Sequence, residues 1–268
     1  MAEARILALV RVPKSGSTTL VWMVRTALPD ARIYRMPKLM RSNEGPSRLE
    51  GWRETRSRAR RFWKLFRTVS EEKAWQRLAA RLRDGDIVSG HFPYGAPLFP
   101  GFRIDYVTLL RNPLDRLISE YNYARENFSK LGPIQRLYRG GLVEAAGRLG
   151  FADFLSFIEE RRELFENIAT RYATGARSCD DPQGFFDRHY YHWGVVERLD
   201  RFADGLSAKL GAPVQTRHER ITANKAEISL SRADKARFER LFGEDIRMYE
   251  CLLGRLDKQA GSAARTPR

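Results

Sequence analysis

A strand-like run from Arg5 to Val12 passes through a short loop, Pro13-Lys14-Ser15-Gly16-Ser17-Thr18, into a helix-like run from Thr19 to Leu28. This strand, tight loop and helix start constrain the chain more than any other segment. The first N–H groups of a helix have no partner within it, and the helix dipole makes that end attractive to anions. Lys14 adds a full positive charge, Ser15, Ser17, Thr18 and Thr19 add hydroxyl donors, and Gly16 lets the main chain come close to a ligand. The segment reads as a device for holding a phosphate or a sulfate. A Ser/Thr-rich helix cap with no ligand is the plain alternative.

The loop does not have the Walker A order, in which Gly, four residues and Gly-Lys-Ser/Thr follow one another; here Lys14 precedes Gly16 and the loop is shorter. A second segment has the same logic. Ile104 to Leu110 reads as a buried strand, and Arg111-Asn112-Pro113-Leu114-Asp115-Arg116-Leu117-Ile118-Ser119-Glu120-Tyr121 follows. Pro113 suits the first position of a helix, and Leu114, Leu117, Ile118 and Tyr121 recur at helical spacing. Arg111 then stands at a strand end, where open α/β sheets bind ligands, and its forked guanidinium suits a phosphate. Between these segments, Asp86-Ile87-Val88-Ser89-Gly90-His91-Phe92-Pro93-Tyr94-Gly95 is a short strand entering a Gly/Pro/aromatic loop, so His91 also stands at a strand end. A structural Arg ion pair and a packing His are the bland readings.

In order and residue type these segments resemble sulfotransferases that use 3′-phosphoadenosine 5′-phosphosulfate (PAPS). Pro13 to Thr18 is similar to their 5′-phosphosulfate loop, and Arg111 with Ser119 to their 3′-phosphate-binding pair. Leu110 to Tyr121 looks most like the heparan sulfate 2-O-sulfotransferase-like branch, in which a Gly-His after the third segment's strand carries the catalytic base; Gly90-His91 matches it. Arg220-Ile221-Thr222-Ala223-Asn224-Lys225 resembles, more weakly, the late loop that closes over the nucleotide, which would add Arg220 and Lys225 to the cofactor site. Asn167-Ile168-Ala169-Thr170-Arg171-Tyr172 is also similar to family members, with no role assigned.

The resemblance implies a P-loop-like sulfotransferase fold, with a central, mostly parallel sheet flanked by helices. It implies sulfuryl transfer from PAPS to an acceptor hydroxyl, with 3′,5′-ADP as product, His91 as general base and Lys14 stabilising charge as the sulfate–phosphate link breaks. Lys14, Ser15, Gly16, Ser17, Thr18, Thr19, Arg111, Ser119, Arg220 and Lys225 would hold the nucleotide, with no metal. The acceptor expected is an anionic or neutral saccharide, and no nucleic-acid partner is needed. The rival readings are a nucleotide-dependent phosphotransferase and a non-catalytic glycan- or nucleic-acid-binding protein.

Composition agrees with one such domain. The chain has 268 residues, is 43% hydrophobic and carries a formal net charge of +15. That is enough for a single sizeable core, and the charge favours an anionic partner. The excess is concentrated between Arg48 and Arg67, where Trp52, Phe62, Trp63 and Phe66 are interleaved with basic residues; this is either a solvated helix or a grip for an acidic polymer. The apolar run Ile6 to Val10 is too short for a membrane span or a signal core; eukaryotic Golgi members of the resembled family carry a membrane anchor, so the resemblance implies a bacterial-type cytoplasmic enzyme or an excised catalytic domain. Cys179 and Cys251 make neither a disulfide framework nor a zinc pattern. His189 and His192 read as structural.

Strands are expected at Ile6–Val12, Arg32–Arg35, Ile87–Ser89, Tyr106–Leu110 and Gly194–Glu197, and helices at Thr19–Leu28, Glu71–Arg83, Pro113–Asn127, Phe151–Glu160 and Leu199–Leu210. Ser231 to Leu256 reads as a final helix or helix pair. Residues 1–256 are expected to form one sulfotransferase domain, and 257–268 a disordered tail. Pro37 to Gly51 reads as a loop.

Overall fold

A computed structural model describes residues 3–35, 71–96, 99–138, 141–216 and 228–263. The basic-aromatic stretch 48–67, the expected loop 37–51, and Arg220 with Lys225 lie outside the described residues.

Short apolar strands alternate with helices, as the sequence predicts. The strands are β1 (Ala4–Val10), β2 (Ile33–Arg35), β3 (Ile87–Gly90), β4 (Phe102–Leu110) and β5 (His192–Val195). They form one sheet in the order β2-β3-β1-β4-β5, with every neighbouring pair parallel. Successive side chains point to opposite faces of a strand, so the sheet sorts its apolar residues into two layers. Leu7, Leu9, Ile87, Val107 and Leu109 pack on one face with α1 (Ser17–Ala27) and a later helix, Leu199–Leu210. Ile6, Ala8, Val10, Val88, Tyr106 and Leu110 pack on the other, under α3 (Pro113–Ser129) and the C-terminal helices. Leu9 and Val10 are fully buried, and each such side chain contributes roughly 1.5–3 kcal/mol by leaving water.

The second helix, α2 (Glu71–Ala79), is shorter than the expected Glu71–Arg83, because the chain turns toward β3 and the Arg83 N–H donates to the Asp86 carboxylate at 2.8 Å. After α3 come α4 (Pro133–Tyr138), α5 (Gly141–Arg148), α6 (Phe151–Glu159), α7 (Arg162–Phe165), α8 (Ile168–Thr174) and α9 (Pro182–His189). The fifth strand ends two residues earlier than expected: Val196–Arg198 is a 3-10 turn leading into α10 (Leu199–Leu210). His189 closes α9 and His192 opens β5, so the two do not share a helical face. His192 Nε2 is 2.8 Å from the Phe202 carbonyl oxygen, and His189 Nδ1 is 3.0 Å from the Tyr94 hydroxyl.

The last helix, α11 (Arg232–Ala263), corrects the expected tail: the chain is helical well past residue 257. It breaks at Phe242, whose φ of −126° is not helical. The helix restarts there because Asn167 Oδ1 accepts from the N–H groups of Glu244 and Asp245, at 3.1 and 3.3 Å. Asp245 returns the favour. Its buried carboxylate accepts from Ala169 N, Thr170 N and Thr170 Oγ1 at 3.1, 2.7 and 2.9 Å, satisfying the start of α8. The Asn167–Tyr172 segment thus has a structural task. Cys179 and Cys251 are both free thiols. Among the described residues, no helix is long and apolar enough to cross a membrane.

Candidate active site

The sheet register builds the site. Val10, the last residue of β1, lies opposite Gly90 of β3 and Thr108 of β4. Because all three strands are parallel, the loop after Val10, the His91 after Gly90 and the Arg111 after Leu110 leave the sheet on one edge. This is the carboxyl edge at which open α/β sheets bind ligands.

The anion loop is built tightly. Lys14 has φ 63° and Gly16 φ 69°, both left-handed. For Lys14, which has a Cβ, this conformation costs about 1–2 kcal/mol. A Cβ on Gly16 would stand 3.0 Å from Val196 Cγ2, so the backbone angle and the close approach of β5's end both select glycine. Gly16 caps α1 and has no side chain with which to bond that helix start. The first turn carries no acidic residue either, so the positive end of the dipole meets no carboxylate of its own.

The loop hydroxyls fall into different settings. Ser15 is 1% exposed, and its Oγ has no hydrogen-bond partner among the described residues. Such a buried, unsatisfied group costs about 1–3 kcal/mol unless something completes it. Ser17 Oγ is 3.5 Å from an Arg11 guanidinium nitrogen. Thr19 is buried and Thr18 exposed.

His91 is half-buried, and its Nδ1 lies 2.7 Å from the carbonyl oxygen of Arg11. A carbonyl has no hydrogen to give, so Nδ1 is the donor and Nε2 is the basic nitrogen of the neutral ring. The Tyr172 ring meets His91 edge to face, with centroids 6.4 Å apart.

Arg111 is half-buried directly after β4. Asn112 caps α3 by accepting from Leu114 N and Asp115 N, and its own N–H donates to Glu197 Oε1 at 2.9 Å. Ser119 lies two turns into α3. The structure ties that helix to the loop through Tyr123, four residues beyond Ser119: the Lys14 ammonium is 3.9 Å from the Tyr123 ring centroid. The register and this contact therefore bring together Lys14 to Thr19, His91, Arg111 and the helix face of Ser119.

Three contributors were not singled out from sequence. Arg11 is bonded at both main-chain ends, its N–H to the Gly90 carbonyl at 3.0 Å and its carbonyl to His91. Burial, and then the charge of Arg35, pull its guanidinium below the ordinary arginine value, and its Nε is buried without a partner among the described residues. Only its place at the end of an apolar run marked it. Tyr123 had the i, i+4 spacing from Ser119 as a signal. Glu197 had none, since its contact crosses from one strand end to another. Among the described residues, no group of three or more His, Cys, Asp or Glu side chains is placed to hold a metal ion.

No protein-family model matches the chain, and no curated protein matches it. Similar solved structures include two sulfotransferases. The crystal structure of mouse sulfotransferase SULT7A1 complexed with PAP aligns over 90% of this chain and 64% of that chain, at 15% identity and a TM-score of 0.40. The crystal structure of a sulfotransferase from Alicyclobacillus acidocaldarius aligns over 90% of this chain and 96% of that chain, at 17% identity and a TM-score of 0.41. This chain spans less than two thirds of the mouse protein's chain. The functional reading rests on this chain's own residues.

Proposed function

We propose that the chain is a sulfotransferase that moves the sulfuryl group of PAPS to a hydroxyl, with His91 as general base. The observation that carries this reading is the bond from His91 Nδ1 to the Arg11 carbonyl. Arg11 is the first residue after β1, in the connection that runs through Lys14 into α1. One residue therefore orients a base and leads into an anion cradle, and sulfuryl transfer needs those two devices side by side.

In the reaction the acceptor oxygen attacks sulfur, and His91 Nε2 takes the hydroxyl proton. The bond from sulfur to the oxygen of the 5′-phosphate breaks, and 3′,5′-ADP leaves with that electron pair. Lys14 and the N–H groups at the start of α1 face the charge that builds on the leaving oxygen. Preorganised donors of this kind are worth about 2.7–4 kcal/mol each when deleted. Ser15, Gly16, Ser17, Thr18 and Thr19 hold the 5′ end, while Arg111 and Ser119 take the 3′-phosphate. The resemblance adds Arg220 and Lys225 as residues that close over the nucleotide. The positive field comes from Lys14, Arg11 and the helix terminus, so the reading calls for no metal.

The acceptor in this proposal is a carbohydrate hydroxyl, as in the heparan sulfate 2-O-sulfotransferase-like branch. The text from Leu110 to Tyr121 and the net charge of +15 support it. Calorimetry with 3′,5′-ADP, and with ATP plus magnesium, tests the donor. Tight binding of the first and none of the second is expected. The reverse result would make the chain a phosphotransferase. Transfer of radiolabelled sulfate from PAPS to a panel of glycans tests the acceptor; salt-sensitive glycan binding without transfer would make it a binder only.

A further inference from the structure

The Lys14 ammonium lies over the face of Tyr123, 3.9 Å from the ring centroid. Tyr123 is 45% exposed, and it is one of two large hydrophobic side chains that stand out from the surface among the described residues. It belongs to neither core cluster of the described residues. It lies one helical turn beyond Ser119, and residues four apart share a helix face.

A lysine side chain gives up much rotamer freedom when it is fixed. A left-handed main chain and the Tyr123 ring both hold Lys14. An aromatic face attracts an ammonium through its quadrupole without cancelling the charge. A carboxylate in the same place would hold the lysine but would also neutralise the charge an anionic donor must meet. We infer that Tyr123 is a positioning residue, which keeps the Lys14 ammonium on the Ser119 side of α3 so that its charge is in place when the sulfur–oxygen bond breaks. The chemical part of this inference rests on the sulfuryl-transfer reading; the placement of the ammonium does not.

Tyr123→Leu removes the ring while keeping an apolar side chain, and Tyr123→Phe keeps the ring. With PAPS alone as probe, breakdown to 3′,5′-ADP and sulfate is followed with water as acceptor. Tyr123→Leu is expected to lower kcat about 3- to 30-fold, with KM for PAPS and the affinity for 3′,5′-ADP within twofold. Tyr123→Phe is expected to restore kcat to within about twofold. A purely structural role would move the melting temperature or both kinetic constants together, and either result overturns the inference. So does a Phe variant as slow as the Leu variant, or a Leu variant as fast as the natural chain.

Placement is read separately by NMR of ε-carbon-labelled lysine, which needs no turnover. The Lys14 ε-methylene protons are expected upfield in the natural chain and in Tyr123→Phe, and at an ordinary position in Tyr123→Leu. An unshifted Lys14 signal in the natural chain overturns the inference by itself. A shifted signal in a chain that shows no PAPS turnover would sink the sulfotransferase reading and leave the Tyr123–Lys14 placement standing.

Discussion

His91 Nδ1 and the carbonyl oxygen of Arg11 are 2.7 Å apart, which joins the residue after β3 to the first residue after β1. The bond fixes the tautomer and aims the basic nitrogen by the same stroke. His91→Ala should lower sulfate transfer about 10²–10⁴-fold, the usual range for a general base. Affinity for 3′,5′-ADP should stay within twofold, because the base does not hold the nucleotide. Added imidazole should recover part of the rate. Turnover within a few-fold of the natural chain would place the base elsewhere.

Arg111 and Ser119 are separated by two turns of α3 and, in the proposed reading, meet on the 3′-phosphate. Arg111→Ala should weaken 3′,5′-ADP binding about 10- to 100-fold, the effect of losing a hydrogen bond to a charged group. Binding of 5′-AMP, which has no 3′-phosphate, should barely change. Ser119→Ala should do the same more mildly. Equal losses for both nucleotides in calorimetry would mean that the pair serves the fold or the 5′ end.

Much of this was legible in the sequence where both faces of a strand are covered. Ile6 to Val10 and Ile87 to Val88 are continuous apolar runs because helices lie on either side of the sheet. The start of β4, Phe102-Arg103, was not legible, because Arg103 interrupts the apolar pattern. There Asp105 pairs with Arg5 of β1 and with Arg103, a polar end to an otherwise apolar strand. The end of β5 was misplaced because Val195-Val196 reads as strand, while the chain bends at Val196 and Glu197 reaches the N–H of Asn112. Lys14 was marked by its neighbours in sequence. Arg11 and Tyr123 depend on contacts between separate elements, which no local pattern encodes.

Gly16 answers two demands at once, so its substitution separates them. Gly16→Ala forces a Cβ into a left-handed residue and within 3.0 Å of Val196 Cγ2. A cost of about 1–2 kcal/mol is expected from the backbone alone. Because the strain falls on the loop, affinity for 3′,5′-ADP should fall too. Adding Val196→Ala relieves the contact but leaves the backbone angle, so denaturant unfolding should show only partial recovery. Full recovery would mean that the left-handed turn is not required.

Asn167 and Asp245 cap each other's helices across the domain, and the Asp245 carboxylate is wholly buried. Removing one member leaves the other's partners unsatisfied. Asp245→Ala strands the N–H groups of Ala169 and Thr170 and removes the charge facing the buried Arg116. A loss of about 3–5 kcal/mol is expected in urea unfolding. Asn167→Ala should cost about 1–2 kcal/mol, the worth of a helix cap. If Asp245→Ala unfolds at the same urea concentration as the natural chain, the reciprocal caps carry no stability.

His192 sets an acid limit on the fold. Burial is the largest cause that lowers its pKa from 6.5 to about 4, with Lys209 adding to it, against the bond to the Phe202 carbonyl. The folded ring therefore stays neutral where the unfolded ring takes a proton. Between about pH 6.5 and pH 4 the unfolded state binds more protons, so stability rises with pH across that window and is lost as pH falls through it. The full shift corresponds to at most about 3 kcal/mol. Urea unfolding at pH 7.5 and at pH 5 should show the natural chain losing part of this. His192→Gln keeps a donor for the Phe202 carbonyl but cannot titrate, and it should lose less over the same interval. Equal losses in the two proteins would show that the acid sensitivity lies in other groups.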